Sequence, residues 1–229
     1  MTLKKLTHSI QQTVFSLFEN NFGKVPEAVT VSANERCLII RIEGFLGSII
    51  ETMIAENSYG ALGSTRELIV GYMLSQLRAD LSSEQNLSVS HFYYDWNDED
   101  LSCIISVVLD EEEHYASDHP YPGKEDIHRE VSEITENVQK VPAQLNSFWV
   151  DDFLVIIRRG LLIELEKALL EDGQEAALRS AKRKVEKKYF ADSNRFVDLL
   201  GRKPVGVYLD WAFDLDSSML VYAFVPDSR

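Results

Sequence analysis

Cys37-Leu-Ile-Ile-Arg-Ile-Glu-Gly44 returns 116 residues later as Phe153-Leu-Val-Ile-Ile-Arg-Arg-Gly160. Each run reads as a largely buried strand closed by a glycine turn. The same offset carries Lys24-Val25-Pro26 onto Lys140-Val141-Pro142, and Leu62 and Ser64 onto Leu178 and Ser180. Asp95-Trp96 recurs as Asp210-Trp211, and a one-residue difference in the following turn restores the offset, so that Cys103-Ile-Ile meets Met219-Leu-Val. Apolar positions held in register over this span predict two diverged copies of one unit of about 115 residues, laid head to tail.

Local signals order the elements of the unit. Ile10, Val14, Leu17 and Phe18 form one helical stripe between about Leu6 and Asn21, ended by Asn20, Asn21, Gly23 and Pro26. Two short runs, Ala28–Ser32 and Cys37–Glu43, flank a polar turn and read as a hairpin. A helical segment with Phe45, Ile49, Ile50, Met53 and Ile54 follows, then an interruption at Asn57–Gly60. A longer helix carries Leu68, Ile69, Met73, Leu74, Leu77 and Leu81, and a second hairpin spans Leu87–Asp95 and Leu101–Leu109. The second copy repeats the order, with its first helix near Asp126–Gln139 and its last strand near Ser218–Val225. The expected fold class is α+β: two tandem α-β-β-α-β-β units, each a largely antiparallel four-stranded sheet with helices on one face. We expect units at 1–110 and 124–229, joined by an acidic linker rich in proline and glycine at 111–123. Residues 1–116 hold 7 basic and 17 acidic side chains, and residues 117–229 hold 16 and 20. Both halves are acidic, so apolar contact is expected to hold them as a pseudo-two-fold intramolecular dimer.

A chain of 229 residues, 45% hydrophobic, has enough apolar side chain for a core. The net charge of −14 argues against wholesale binding to nucleic acid or anionic lipid. No apolar stretch suits a signal peptide. The richest one, Phe153–Leu170, is broken by Arg158, Arg159, Glu164, Glu166 and Lys167, so no transmembrane segment is expected. Two cysteines make no secreted disulfide scaffold. The expected location is the cytoplasm.

Few residues point to chemistry. Cys37 aligns with Phe153 and Cys103 with Met219, so both thiols read as core rather than reactive groups. Asp95, Asp98, Glu99 and Asp100, with Asp210, Asp214 and Asp216, lack the ligand spacing and glycine of a calcium loop and read as hairpin turns. His114, Asp118 and His119 lie in the linker without a rigid frame for zinc. His8, His91 and His128 stand isolated, and no Ser/His/Asp spacing or phosphate loop appears. No catalytic, cofactor-binding or metal-binding residue is assigned. Trp96 and Trp211 read as aromatic cover at a strand end. Arg179, Lys182, Arg183, Lys184, Lys187 and Lys188 form the one strongly basic stretch, with Val185 and Tyr189 expected to face inward. Their charges then crowd an outer helix face able to meet an anionic partner.

Phe22-Gly-Lys-Val-Pro26, the Leu38–Gly44 strand and Gly201-Arg-Lys-Pro-Val-Gly-Val-Tyr-Leu-Asp210 together resemble the MpsC-like family of small bacterial proteins. That family takes its name from a component of a sodium-translocating, membrane-potential-generating system. The copies keep different parts of the pattern: Phe22-Gly-Lys24 in the first is Val138-Gln-Lys140 in the second, and Glu166-Lys167 in the second is Ile50-Glu51 in the first. The resemblance implies association with a membrane ion or inorganic-carbon transport system and carries over no catalytic residue. The expected function is that of a cytosolic, non-enzymatic accessory or protein-interaction protein with a protein partner, without cofactor, as a monomer or weak homodimer. The alternative is a small-ligand or nucleotide-sensing module with a pocket between the repeats.

Overall fold

Two antiparallel sheets carry the chain, and each forms where the sequence alternates short apolar runs with polar turns. The computed structural model describes residues 3–44, 56, 59–109, 120–192 and 194–226. The chain divides into two compact units, Met1–Phe92 with Trp96–Glu111, and Tyr93–Asp95 with Glu112–Arg229.

The first unit begins with α1 (Leu3–Phe22), whose Leu6, Ile10, Val14 and Phe18 recur every four residues and are buried. Strands β1 (Ala28–Ala33) and β2 (Cys37–Glu43) pair antiparallel, with Val29 opposite Ile42. Helix α2 (Tyr59–Ser83) separates them from β3 (Val89–Asn97) and β4 (Ser102–Leu109). The sheet order is β1-β2-β4-β3. The centre of the sheet is therefore the pair of most apolar strands, and every residue of β4 is buried. Helix α2 starts within the expected interruption at Asn57–Gly60. The expected helix through Phe45–Ile54 lies outside the described residues, as does most of the expected linker, with His114, Asp118 and His119.

The second unit repeats the α-β-β pattern with α3 (Lys124–Val138), β5 (Gln144–Val150) and β6 (Phe153–Arg159). Helices α4 (Glu164–Glu171), α5 (Glu175–Asp192) and α6 (Asn194–Leu200) follow, then β7 (Gly206–Ala212), a 3₁₀ turn at Phe213–Leu215, and β8 (Ser217–Ala223). The order β5-β6-β8-β7 matches that of the first sheet. Ile127, Val131, Ile134, Leu154, Ile156, Phe190, Phe196, Leu209 and Leu220 join in one core. The separate helix α6 was not foreseen; its Phe196 fills that core beside Phe190 and Tyr222.

The recurring glycines close the first hairpin of each unit. Gly44 and Gly160 both have positive φ, +65° and +70°. The neighbouring ladder bonds also correspond: Glu27 N donates to Glu43 O and Ala143 N to Arg159 O. A Cβ at Gly160 would stand 2.5 Å from the Cβ of Ala143, whereas at Gly44 it would meet the movable side chain of Glu27. Gly160→Ala should therefore cost about 2 kcal/mol, from the left-handed backbone together with the collision. Gly44→Ala should cost less, because a long side chain can swing away. Urea unfolding of the two variants checks the order; equal costs would mean that the close approach at Gly160 contributes nothing.

Candidate functional site

Strand β6 ends in two arginines, and it places the first of them in the interior. Arg158 is completely buried, and its guanidinium is shared among three elements. Nε donates to Ser218 Oγ on β8 (2.9 Å), Nη1 to Thr135 Oγ1 on α3 (2.9 Å), and Nη2 to Glu186 Oε2 on α5 (2.7 Å). The guanidinium lies 5.0 Å from the centre of the Phe190 ring. The other oxygen of Glu186 accepts from Gln139 Nε2 (2.6 Å) and has Lys182 Nζ at 3.5 Å. Lys182 Nζ in turn donates to Glu166 Oε1 (2.7 Å), and Glu166 Oε2 accepts from Ile163 N at the start of α4 (3.1 Å). Two cations and two carboxylates close on one another, so the cluster carries no net charge into the core.

A second set of contacts surrounds Asp210 on β7. Arg179 pairs with its carboxylate, donates to Trp211 O (2.8 Å), and reaches Glu175 (2.8 Å). Arg183 Nη2 lies 3.1 Å from the same carboxylate. Burial pushes the Asp210 carboxyl above its ordinary value, against the opposing pull of Arg179 and Arg183. Tyr93–Asp95 are described with this unit. Asp95 accepts from Leu209 N (2.8 Å), Arg183 Nε (3.0 Å) and Lys187 Nζ (2.7 Å). Trp211 is stacked on Phe213, with Arg179 over Phe213 and Lys182 over Trp211, which gives a cation–ring–ring–cation ladder.

The six basic residues singled out in the sequence thus divide. Arg179, Lys182, Arg183 and Lys187 hold internal carboxylates; Lys184 and Lys188 are exposed. The inward face of α5 is Leu178, Lys182, Glu186 and Phe190, while Val185 and Tyr189 are each 48% exposed. The expectation that Val185 and Tyr189 face inward is therefore corrected. Charges with buried partners took the positions that periodicity would give to apolar side chains. Trp96 and Trp211 are both buried, and each has a cation over its ring: Arg66 in the first unit at 4.9 Å, Lys182 in the second at 5.4 Å. Arg66 and Lys182 are themselves 116 residues apart. The acidic turn of the first unit is held by Arg66–Asp98 and Arg41–Asp100 ion pairs.

Arg158, Glu166 and Glu186 were missed as site residues. The usable signal was at the repeat offset, where Arg158 and Glu186 face Ile42 and Val70, both buried. His128 is also less isolated than its sequence neighbourhood implies. Its Nε2 is 2.7 Å from Ser147 Oγ, which is 2.6 Å from Tyr121 OH. Ser147 is fully buried, so this contact offers no nucleophile to a substrate. Burial pushes the Tyr121 hydroxyl above its ordinary value, against the opposing effect of its hydrogen bond with Ser147. Among the described residues no group of three or more His, Cys, Asp or Glu side chains could hold a metal ion. Asp216 instead caps backbone: its Oδ1 accepts from Leu161 N and Leu162 N (2.7 and 2.8 Å).

Residues 2–111 match the family described as "Na+-translocating membrane potential-generating system (MpsC)". No curated protein and no solved structure matches the chain.

Proposed function

From the match of the first unit, residues 2–111, to the MpsC family, we propose that the chain is a member of that family and a non-enzymatic accessory protein of a membrane-potential-generating system. It acts from the cytoplasm by binding a protein component of that system. The family match is the observation that carries this reading. Two features of the chain support it. None of the described helices is long and apolar enough to cross a membrane, which is compatible with attachment to a membrane system through a partner. The interior charges of the second unit are engaged with one another, an arrangement that serves a rigid scaffold better than proton or group transfer.

The test uses inverted membrane vesicles from the native organism, incubated with the purified full chain and pelleted over a concentration series. Saturable binding that disappears after the vesicle proteins are shaved with protease is expected. Equal binding to protein-free liposomes, or a chain left in the supernatant at tens of micromolar, would overturn the reading.

A further inference from the structure

Helix α5 presents to solvent a face whose sign is opposite to that of the whole chain. Ala177, Ala181, Val185 and Tyr189 recur every four residues, and all are exposed. They form one apolar ridge of about three turns, roughly 18 Å long. Beside it runs a second ridge at the same spacing, Ser180, Lys184 and Lys188, also exposed. The only carboxylate between 177 and 191 is Glu186, and it is buried. In a chain with 37 acidic and 23 basic residues, the exposed side chains of residues 177–191 include no acid, and the helix carries its other carboxylates at its two ends, Glu175 and Asp192.

We propose that this face of α5 is a docking surface for an acidic amphipathic helix of a partner protein. An i, i+4 ridge is the shape that seats a second helix. The lysine row selects carboxylates beside the partner's apolar stripe, and rim charges of this kind set partner choice and association rate. An anionic lipid surface fits less well. It would have to accept the approach of a chain of net charge −14, and the ridge offers it short side chains and only two lysines. The corresponding stretch of the first unit also exposes an apolar pair at the four-residue spacing, Leu68 at 77% and Tyr72 at 46%. Its flanking residues are Glu67 and Gly71, without a lysine, so the cationic selection belongs to the second unit.

The proposal deepens the accessory reading by naming the partner's chemistry, and its test stands apart from the vesicle experiment. The probe is a fluorescein-labelled designed helix of 18 residues with a leucine row at i, i+4 flanked by glutamates, titrated with the full chain by anisotropy. Saturable binding is expected, at least about tenfold weaker for the same peptide with lysines in place of glutamates and for K184E/K188E chain. Binding should also weaken as salt rises from 50 to 500 mM, on the order of the screening expected for rim ion pairs. All the substituted side chains are exposed, and unchanged circular dichroism confirms that the variant is folded. Four results would overturn the proposal: equal binding of the acidic and basic peptides, no effect of charge reversal, tighter binding to phosphatidylglycerol vesicles than to the peptide, or self-association of the chain abolished by Tyr189→Glu. Vesicle binding that persists in the charge-reversed variant would leave the accessory role standing and remove only this surface from it.

Discussion

Arg158→Ile should destabilise the second unit by about 3–5 kcal/mol, and Glu186→Val in the same background should restore most of that loss. The single change leaves the Glu186 carboxylate 99% buried, with Gln139 and a lysine 3.5 Å away that is already committed to Glu166. An uncompensated buried charge is the costly state, whereas a buried pair and a well-packed apolar pair lie close in energy. The first unit supplies the replacement, since Ile42 and Val70 occupy the offset positions and are each 1% exposed. After both substitutions Lys182 still has Glu166 at 2.7 Å, so charge balance survives. Urea unfolding of the four proteins of the cycle gives the coupling energy. Additive losses from the two single substitutions would mean that Arg158 and Glu186 do not act as a pair.

Above pH 9 the protein should lose stability through Cys37 by roughly 1.4 kcal/mol per pH unit, relative to the Cys37→Ala variant. Burial pushes the Cys37 thiol up to about 12, from an ordinary value of 9.0. A raised folded value means that the unfolded chain releases its proton first. The contribution is therefore intact below pH 9 and is lost as pH rises from 9 towards 12. Removing the thiol removes that slope and leaves the other alkaline transitions, including that of the buried Tyr222, common to both proteins. The same burial should make disulfide exchange with a soluble reagent at pH 8 slower by at least about a hundredfold in the folded state than in urea. Parallel stability–pH curves for wild type and Cys37→Ala would refute the assignment, as would native-state labelling at the unfolded rate.

The strands and their succession along the chain were legible because they rest on short-range pattern: apolar runs, glycines and prolines spaced identically in two copies. Cys37–Glu43 falls where the residues placed it, and Gly44 and Gly160 share the conformation that their common position implies. The buried charges were not legible. Lys182 and Glu186 are four residues apart on a helix rich in lysine, the ordinary signature of a solvated face. Only partners distant in sequence, Arg158 and Glu166, make burial of that face tolerable. Helix α6 escaped for a related reason: its seven residues are too short to show a period, and tertiary packing of Phe196 fixes it. The contact between His128 and Ser147 depends on α3 lying against β5, a relation that residue spacing does not encode.

The three partners of Arg158 lie 23, 28 and 60 residues away along the chain. The most distant, Ser218, belongs to β8, the last of the four strands of its sheet in chain order. During synthesis all four strands of the first unit are available once residue 109 has emerged. The second unit must keep its guanidinium hydrated until β8 arrives, because sealing it earlier would strand donors in an apolar interior. The nascent chain therefore matures in two steps of unequal timing, with the first unit closing while the second waits for β8.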